Sequence, residues 1–441
     1  MASTFLGLEI TRRSLQAHTR ALDITAHNIA NASRTDYSRQ RAVFTAAAPF
    51  PSASLFRETG AYQLGSGVDI AQIRRVRDGY LDVQMRSALA NVGRYEEESA
   101  VLGRVEALFP ETSDYGIQKF LDDFFGSWYD LSQNPDSPPA EVVYGAGKAL
   151  ADSIRVVYGQ LQALRDEVYG AQTGDRLQRI NELGLEIARL NREIGRQAQL
   201  GNTANDLMDR RDALLDELAK FGPLTVLPAS DGSGAVTVTL LGYTLVDGGK
   251  WDSVAESYGY AGADGVTDFP DLNVPPGDSL PAGSLPVLIA LADRLDGYMA
   301  DLDGLAIALI ENVNAYAQTD FFTGTGAADF AVNSDRQTVI ADLKALPPQD
   351  ALNVAQLEPE IGNLYADLLT RIGSDLGAAK NGLGLFDAVV QQVESLRQSV
   401  MGVSVDEELT SMMQFQYAYQ ASARVVAIID EMLDTLINKM R

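Results

Sequence analysis

The 441-residue chain contains no cysteine, which excludes a disulfide, a thiolate nucleophile and any cysteine-ligated metal site. Histidine is nearly as scarce. The two that occur, His18 and His27, stand nine residues apart on one predicted helix and so on different faces, which gives no metal site. A Ser-His-Asp arrangement would have to borrow one of them, and the sequence has no nucleophile elbow. Positive charge is in deficit: 35 Lys and Arg face 60 Asp and Glu, a net charge of −25. A phosphate-binding surface needs clustered cations to displace counterions, so no nucleic-acid partner is expected. Long apolar runs are missing too. The best, Leu285 to Ala292, stops at Asp293, short of a bilayer crossing, so membrane insertion is not expected. At the N-terminus Glu9, Arg12 and Arg13 arrive too early for a signal-peptide core, and no small-residue cleavage site follows, so a secreted chain would need another route.

Nor do the remaining residues compose a chemical site. Gly324-Thr325-Gly326 and Gly382-Leu383-Gly384 lack the further Gly, Lys and Ser or Thr of a phosphate cradle, and both are expected to be turns. Asn31-Ala32-Ser33 fits a glycosylation sequon, but Asn31 is better explained as a helix-ending residue. Acidic residues abundant enough to supply a carboxylate pair for glycoside hydrolysis are not evidence of one. No catalytic residue, metal or cofactor is expected.

What the sequence does hold is concentrated at its ends. From Leu409, steps of three and four reach Met412, Gln416, Tyr419, Ala423, Val426, Asp430, Leu433 and Ile437, a heptad seam broken only by Gln416 and Asp430. A second apolar line runs through Phe415, Ala418, Val425, Ile429, Met432 and Leu436, while Thr410, Tyr417 and Arg424 face away. The helix wants partners on two sides. Ser404 with Glu407 forms a capping box, and Asp406, Glu407 and Glu408 suit the positive end of the helix dipole. The pattern fits equally a C-terminal core helix of an ordinary domain. Residues 4 to 30 predict a second terminal helix, with Phe5, Leu8, Leu15, Leu22, Ala26 and Ile29 on three-four spacing. Residues 1–50 hold six Arg against three acids, and residues 401–441 six acids against three bases, a bias that favours pairing of the two helices, weakly and subject to screening.

The words within these helices carry more than their pattern. Val403-Ser404-Val405-Asp406-Glu407-Glu408-Leu409, followed by Phe415-Gln416 and Tyr419-Gln420-Ala421-Ser422-Ala423-Arg424, resembles the C-terminus of the flagellar hook-associated protein 1 family. Ala21 to Asn31, with Asn28 and Asn31, resembles the N-terminal motif shared by rod, hook and junction proteins of the flagellar axis. Tyr37-Ser38-Arg39-Gln40 points to the junction proteins among them. Where that family has a glycine before the tyrosine, this chain has Asp36, which puts the turn's left-handed geometry in question.

The interior predicts a mainly α, elongated multidomain protein. Residues 45 to 70, with Pro49, Pro51 and Gly60 to Gly67, read as a linker leading into a short strand at 68–73. Helices are expected at 78–108, 116–131, 140–169, 175–197 and 205–221, the last two as an antiparallel hairpin. The alternating charges of Asn205 to Asp212 are expected to pair along the helix surface. Residues 223–283 read as a small β-rich insertion around the alternating runs 235–240 and 243–246. Helix returns at 285–316, a poorly patterned stretch runs to Leu357, and helices fill 358–400. The division expected is therefore 1–50 with 401–441 as a terminal coiled-coil assembly domain, 51–221 with 284–400 as a helical-bundle body, and 222–283 as the insertion.

The resemblance implies a non-enzymatic subunit that joins hook to filament and lies outside the cell. Its partners would be copies of itself in a ring, the hook protein, the second hook-filament junction protein and an export chaperone. Export through the flagellar type III apparatus suits a chain without cross-links. The implied assembly and chaperone contacts are Leu8, Leu15, Leu22 and Ile29 with Leu409, Met412, Phe415, Tyr419, Val426, Ile429, Leu433 and Leu436; Tyr37, Arg39, Asp406 and Glu407 join Asn28 and Asn31 as motif residues. The family is usually longer, which implies a reduced outer body. Another axial flagellar protein, or a secreted cell-wall enzyme using an acidic pair, are the alternatives.

Overall fold

The computed structural model describes residues 2–48, 65–110, 116–134, 139–230, 232–253 and 282–438. Helix α1 (Ala2–Ala30) lies antiparallel to α11 (Val405–Asn438), bringing the two ends of the chain together. A hairpin of β1 (Gln40–Ala46) and β2 (Val68–Arg75) runs along α1, paired from Gln40↔Arg75 to Ala46↔Val68 with a bulge at Val43/Phe44. The strand β1 was not foreseen, since Arg-Ala-Val-Phe-Thr-Ala does not alternate cleanly. Gly67, at φ +100°, closes the hairpin against α1: a Cβ there would stand 3.3 Å from the Ile10 carbonyl oxygen. Only glycine combines that dihedral with that approach.

Behind the terminal elements, α2 (Gly79–Ala107) pairs with α10 (Glu358–Met401), a 44-residue helix. They run antiparallel, with Arg397 beside Asp82 at one end, Tyr95 stacked on Phe386 at 5.7 Å in the middle and Phe109 against Tyr365 at 6.4 Å at the other. Gly382-Leu383-Gly384 is accordingly not a turn but the middle of α10. A Cβ on Gly382 would sit 2.4 Å from Cε1 of Tyr95, so glycine leaves room for the Tyr95 ring, and the surrounding helix absorbs its poor propensity.

Two apolar cores organise the body. The larger takes Phe124 and Trp128 of α3 (Ile117–Gln133), Leu150 and Leu161 of α4 (Pro139–Glu167), Leu295 and Leu309 of α7 (Ser284–Ala317), and Tyr365 and Leu376 of α10. Phe321 and Phe322 close it against the α3 aromatics, Phe321 edge-on to Trp128 and Phe322 tilted on Phe124, with Phe330 behind Phe322, around the short pair β7 (Phe322–Thr323) and β8 (Ala331–Val332). The stretch before Leu357 that lacked a pattern is α8 (Arg336–Ala345) and α9 (Pro348–Ala355). Each is too short to show periodicity, but Asp335 caps the first by accepting from Thr338 N, and Pro348 opens the second.

The smaller core joins α5 (Thr173–Gln199) and α6 (Asn205–Ala219) to an antiparallel sheet ordered β3 (Leu224–Pro228), β4 (Val236–Leu240), β5 (Tyr243–Asp247), β6 (Lys250–Trp251). Ile180, Leu183 and Ile187 meet Leu215, Leu218, Val238 and Leu245 there. Helices α4 and α5 are continuous through a π turn at Val168–Gln172, where Thr173 Oγ1 donates to the Val168 carbonyl at 2.9 Å. No proline interrupts the run, so the expected break did not form. The rest of the predicted insertion, 254–281, lies outside the described residues.

Burial differs sharply between body and ends. Each fully buried Val, Leu, Ile or Phe contributes about 1.5–3 kcal/mol, and the body has such residues on every helix. Along α11, among the described side chains, Ile429 is the only large apolar residue that is fully buried. The longest hydrophobic pattern in the sequence is thus the least covered.

Candidate assembly surface

The seam between α1 and α11 sets small residues of α1 against mostly larger ones of α11. Ile429 Cδ1 reaches to 3.5 Å from where a Gly7 Cβ would be, Ser14 Oγ and Ser422 Oγ share a hydrogen bond at 2.8 Å, and Asn28 Nδ2 donates to Glu408 Oε2 at 3.0 Å. Midway, the His18 ring packs between Phe44 and Phe415, with centroids 5.9 and 6.2 Å away. Burial draws the His18 pKa below its usual value.

This seam is one residue out of step with the leucine rows. Leu8, Leu15, Leu22 and Ile29 each follow a seam position (Gly7, Ser14, Ala21, Asn28) and stay half-buried. On α11 the seam is Glu408, Phe415, Ser422 and Ile429, so it follows part of the second apolar line rather than the row that starts at Leu409. Leu409 is 45% exposed and Tyr419 40%, while Met412, Phe415, Val426 and Leu433 are half-buried; the Leu436 side chain lies outside the described residues. On α1 the small side chains take the inside, where they leave room for Ile429, and the leucine row stands at the edge. The helices are antiparallel and each row trails its seam by one residue, which places both rows on the same side of the pair.

The second apolar line divides in the structure: Val425 and Met432 leave the seam and join Ala421 and Ile428, which the pattern reading omits. Ala421, Val425, Ile428 and Met432 fall on the opposite side of the seam, with Ile428 55% and Met432 47% exposed. Tyr417, expected to face away, is 70% exposed. The spacing 421, 425, 428, 432 was available in the sequence as a third heptad line.

The motif residues converge where the ends meet. Asn28 Oδ1 accepts from Tyr37 Oη at 2.7 Å and from Gln40 N at 3.0 Å, and its Nδ2 donates to the Gln40 carbonyl at 2.9 Å as well as to Glu408. Arg39 Nε donates to Glu408 at 2.6 Å and its terminal nitrogen to Glu407 at 2.8 Å. Burial, and then the charges of Asp206, Asp209 and Glu408, push the Tyr37 hydroxyl above its ordinary pKa. Glu407 therefore serves Arg39 and does not close the capping box; only the Glu407 N to Ser404 Oγ half remains, at 3.5 Å. Asn31 ends α1, its N–H bonded back to the His27 carbonyl, and Asp406 is exposed. Asp36 is held by Arg34 at 2.8 Å, which lowers its pKa. Among the described residues only Leu241 and Gln318 are non-glycine with positive φ, so the turn at Asp36 needs no left-handed residue.

The charges of 205–212 correct the expectation of surface pairs. Asp209, Arg211 and Asp212 are buried; Arg211 donates to Asn191 and the Gly234 carbonyl, while the partners of the two aspartates are far along the chain. Asp209 accepts from Ser38 N and Oγ at 3.1 and 2.7 Å, and Arg75 donates to both Asp209 and Asp212 at 2.7 Å. Arg77 spans Asp82 and Asp212, and Arg397 reaches Asp216 at 2.9 Å. Burial alone would raise the Asp212 pKa, but Arg77, Arg75 and Arg211 outweigh it and hold the carboxyl low. Burial, reinforced by the neighbouring arginines against the pull of Asp212, brings Arg211 down to about 10.

Among the described residues no group of three His, Cys, Asp or Glu could hold a metal ion, and no helix is long and apolar enough to cross a membrane. The arrangement offers surface rather than chemistry: a helical pair with apolar residues on two open sides.

Comparison with known proteins agrees in kind. The family model of the flagellar hook-associated protein FlgK helical domain matches residues 102–330, over half of the chain, and that of the flagellar basal body rod FlgEFG protein C-terminal region matches 396–439. The chain is 27% identical over 507 residues to flagellar hook-associated protein 1 of Bacillus subtilis (strain 168), covering 100% of this chain and 99% of that protein. To flagellar hook-associated protein 1 of Escherichia coli (strain K12) it is 23% identical over 548 residues, covering 96% and 98%. Among solved structures, the flagellar hook junction protein FlgK from Burkholderia pseudomallei aligns with a TM-score of 0.44 at 23% identity, over 53% of this chain and 43% of that one.

Proposed function

The chain belongs to the flagellar hook-associated protein FlgK family and is a structural component of the flagellum at the hook-filament junction, and from that premise we propose that it is built in through its paired terminal helices. Residues 1–50 and 401–441 act as the assembly domain, joined by the β2 strand. Copies pack side by side in a ring, the face carrying Leu8, Leu15, Leu22, Ile29, Leu409, Met412, Tyr419 and Val426 meeting a neighbour. Hook protein lies on one side of the ring and the second hook-filament junction protein on the other. The subunit catalyses nothing and works outside the cell.

One observation supports this most: α11 is apolar on three sides and α1 fills only one. Exposed apolar lines of this length aggregate unless covered. Before assembly an export chaperone covers them, and the cysteine-free chain passes unfolded through the type III apparatus. Replacing Val426 and Leu433 with Asp tests the reading. Both are half-buried at the seam's edge, so the body should remain helical while incorporation into flagella is lost. Incorporation at normal levels contradicts it.

A further inference from the structure

The joint between the terminal elements and the body carries a dense set of polar contacts. Among the described residues, neither apolar core includes any residue of α1, β1, β2 or α11. Across the boundary run instead hydrogen bonds and ion pairs: Ser38 to Asp209, Gln40 Nε2 to Asp206 at 2.9 Å, Asn205 Nδ2 to Gln40 Oε1 at 3.1 Å, and Arg75 to Asp209 and Asp212. The chain itself crosses at two short places, Val76 to Asp78 and Gly402 to Ser404.

We propose that this joint is a polar latch that fixes the angle between two separately folded units and can open without unfolding either. The physical ground is the difference between the two kinds of adhesion. An apolar interface tolerates sliding but resists separation, because exposure costs in proportion to area. Charge-assisted hydrogen bonds are directional: they define one geometry while made and exert little hold once broken. Each unit has its own internal fastening. The terminal unit is closed by the Asn28 cluster and the α1–α11 seam, the body by its two cores. Opening the latch therefore exposes carboxylates and guanidinium groups, which water solvates well, and leaves both apolar cores of the body intact. The terminal pair thus has a means of meeting the body at more than one angle. This inference does not rest on the assembly reading; it concerns a single chain.

The absence of cysteine makes the test clean. Spin labels are placed at Gln420→Cys on α11 and Thr225→Cys on β3, both exposed positions, and the distance between them is measured by pulsed dipolar spectroscopy in the full chain. The parent should give one narrow distance. Asp209→Asn with Asp212→Asn should broaden or shift it while helical content stays unchanged. Ser38→Ala with Arg75→Gln, which alters only the terminal side, should do the same and decides the matter if the first variant loses helix. A narrow, unshifted distance in the terminal-side variant, or a broad distance already in the parent, overturns the proposal.

Discussion

Asn28 and Glu408 stand 380 residues apart in the chain and 3.0 Å apart in space. Asn28 uses both amide hydrogens and accepts two further bonds, so every hydrogen-bonding capacity of a buried side chain is met by the other motif residues. Its replacement would strand the Tyr37 hydroxyl, the Gln40 N–H and one Glu408 oxygen. Stranded buried polar groups cost about 1–3 kcal/mol each. Asn28→Ala should therefore accelerate amide hydrogen exchange in the last turns of α1 and the first turns of α11, with protection in α3, α4 and α7 unchanged. Equal loss of protection throughout would show that the cluster is not local to the terminal unit.

Two glycines on helix interfaces should behave oppositely. A Cβ on Gly93 of α2 would stand 2.1 Å from the Lys220 carbonyl oxygen, a backbone atom that cannot step aside, whereas on Gly7 it would meet Ile429 at an ordinary 3.5 Å. Gly93→Ala should lower the thermal unfolding midpoint, at a cost of about 1–3 kcal/mol for forced overpacking. Gly7→Ala should leave it unchanged or raise it, since alanine is the better helix former.

The buried carboxylate of Asp212 gives the joint a pH dependence. Its folded pKa is depressed below the value of about 3.9 for an unfolded aspartate. The contribution is complete above that value and is lost as pH falls through the folded one. Denaturant titrations should show Asp212→Asn less stable than the parent at pH 7, by up to about 3–5 kcal/mol for a broken buried pair. The gap should narrow steadily as the solution is acidified below pH 4. A gap that is constant with pH would mean that shape, not charge, holds the site.

These features were not equally legible. The terminal helices announced themselves because leucine rows dominate any hydrophobic pattern. For the same reason the seam was misplaced by one residue, since Gly7, Ser14, Ala21 and Ser422 carry little hydrophobic signal yet permit the closest approach. Ile180, Leu183 and Ile187 read correctly as one face because their partners, Leu215 and Leu218, follow directly in a hairpin. Asp209 and Asp212 misled because Arg210 and Arg211 stand beside them, while their actual partners Ser38, Arg75 and Arg77 lie more than a hundred residues upstream. Local spacing reveals helix faces; it does not reveal which distant strand will bring an arginine to them.

The central claim is that the open apolar sides of the terminal pair are covered by other copies and not by the chain itself. Tyr419 tests this most directly, being 40% exposed beside a half-buried Val426. A Tyr419→Cys variant supplies the chain's sole thiol, and its rate of reaction with a water-soluble maleimide can be compared in the purified monomer and in isolated flagella. The account predicts rapid labelling of the monomer and strong protection once assembled. Labelling at the same rate in both states would contradict it.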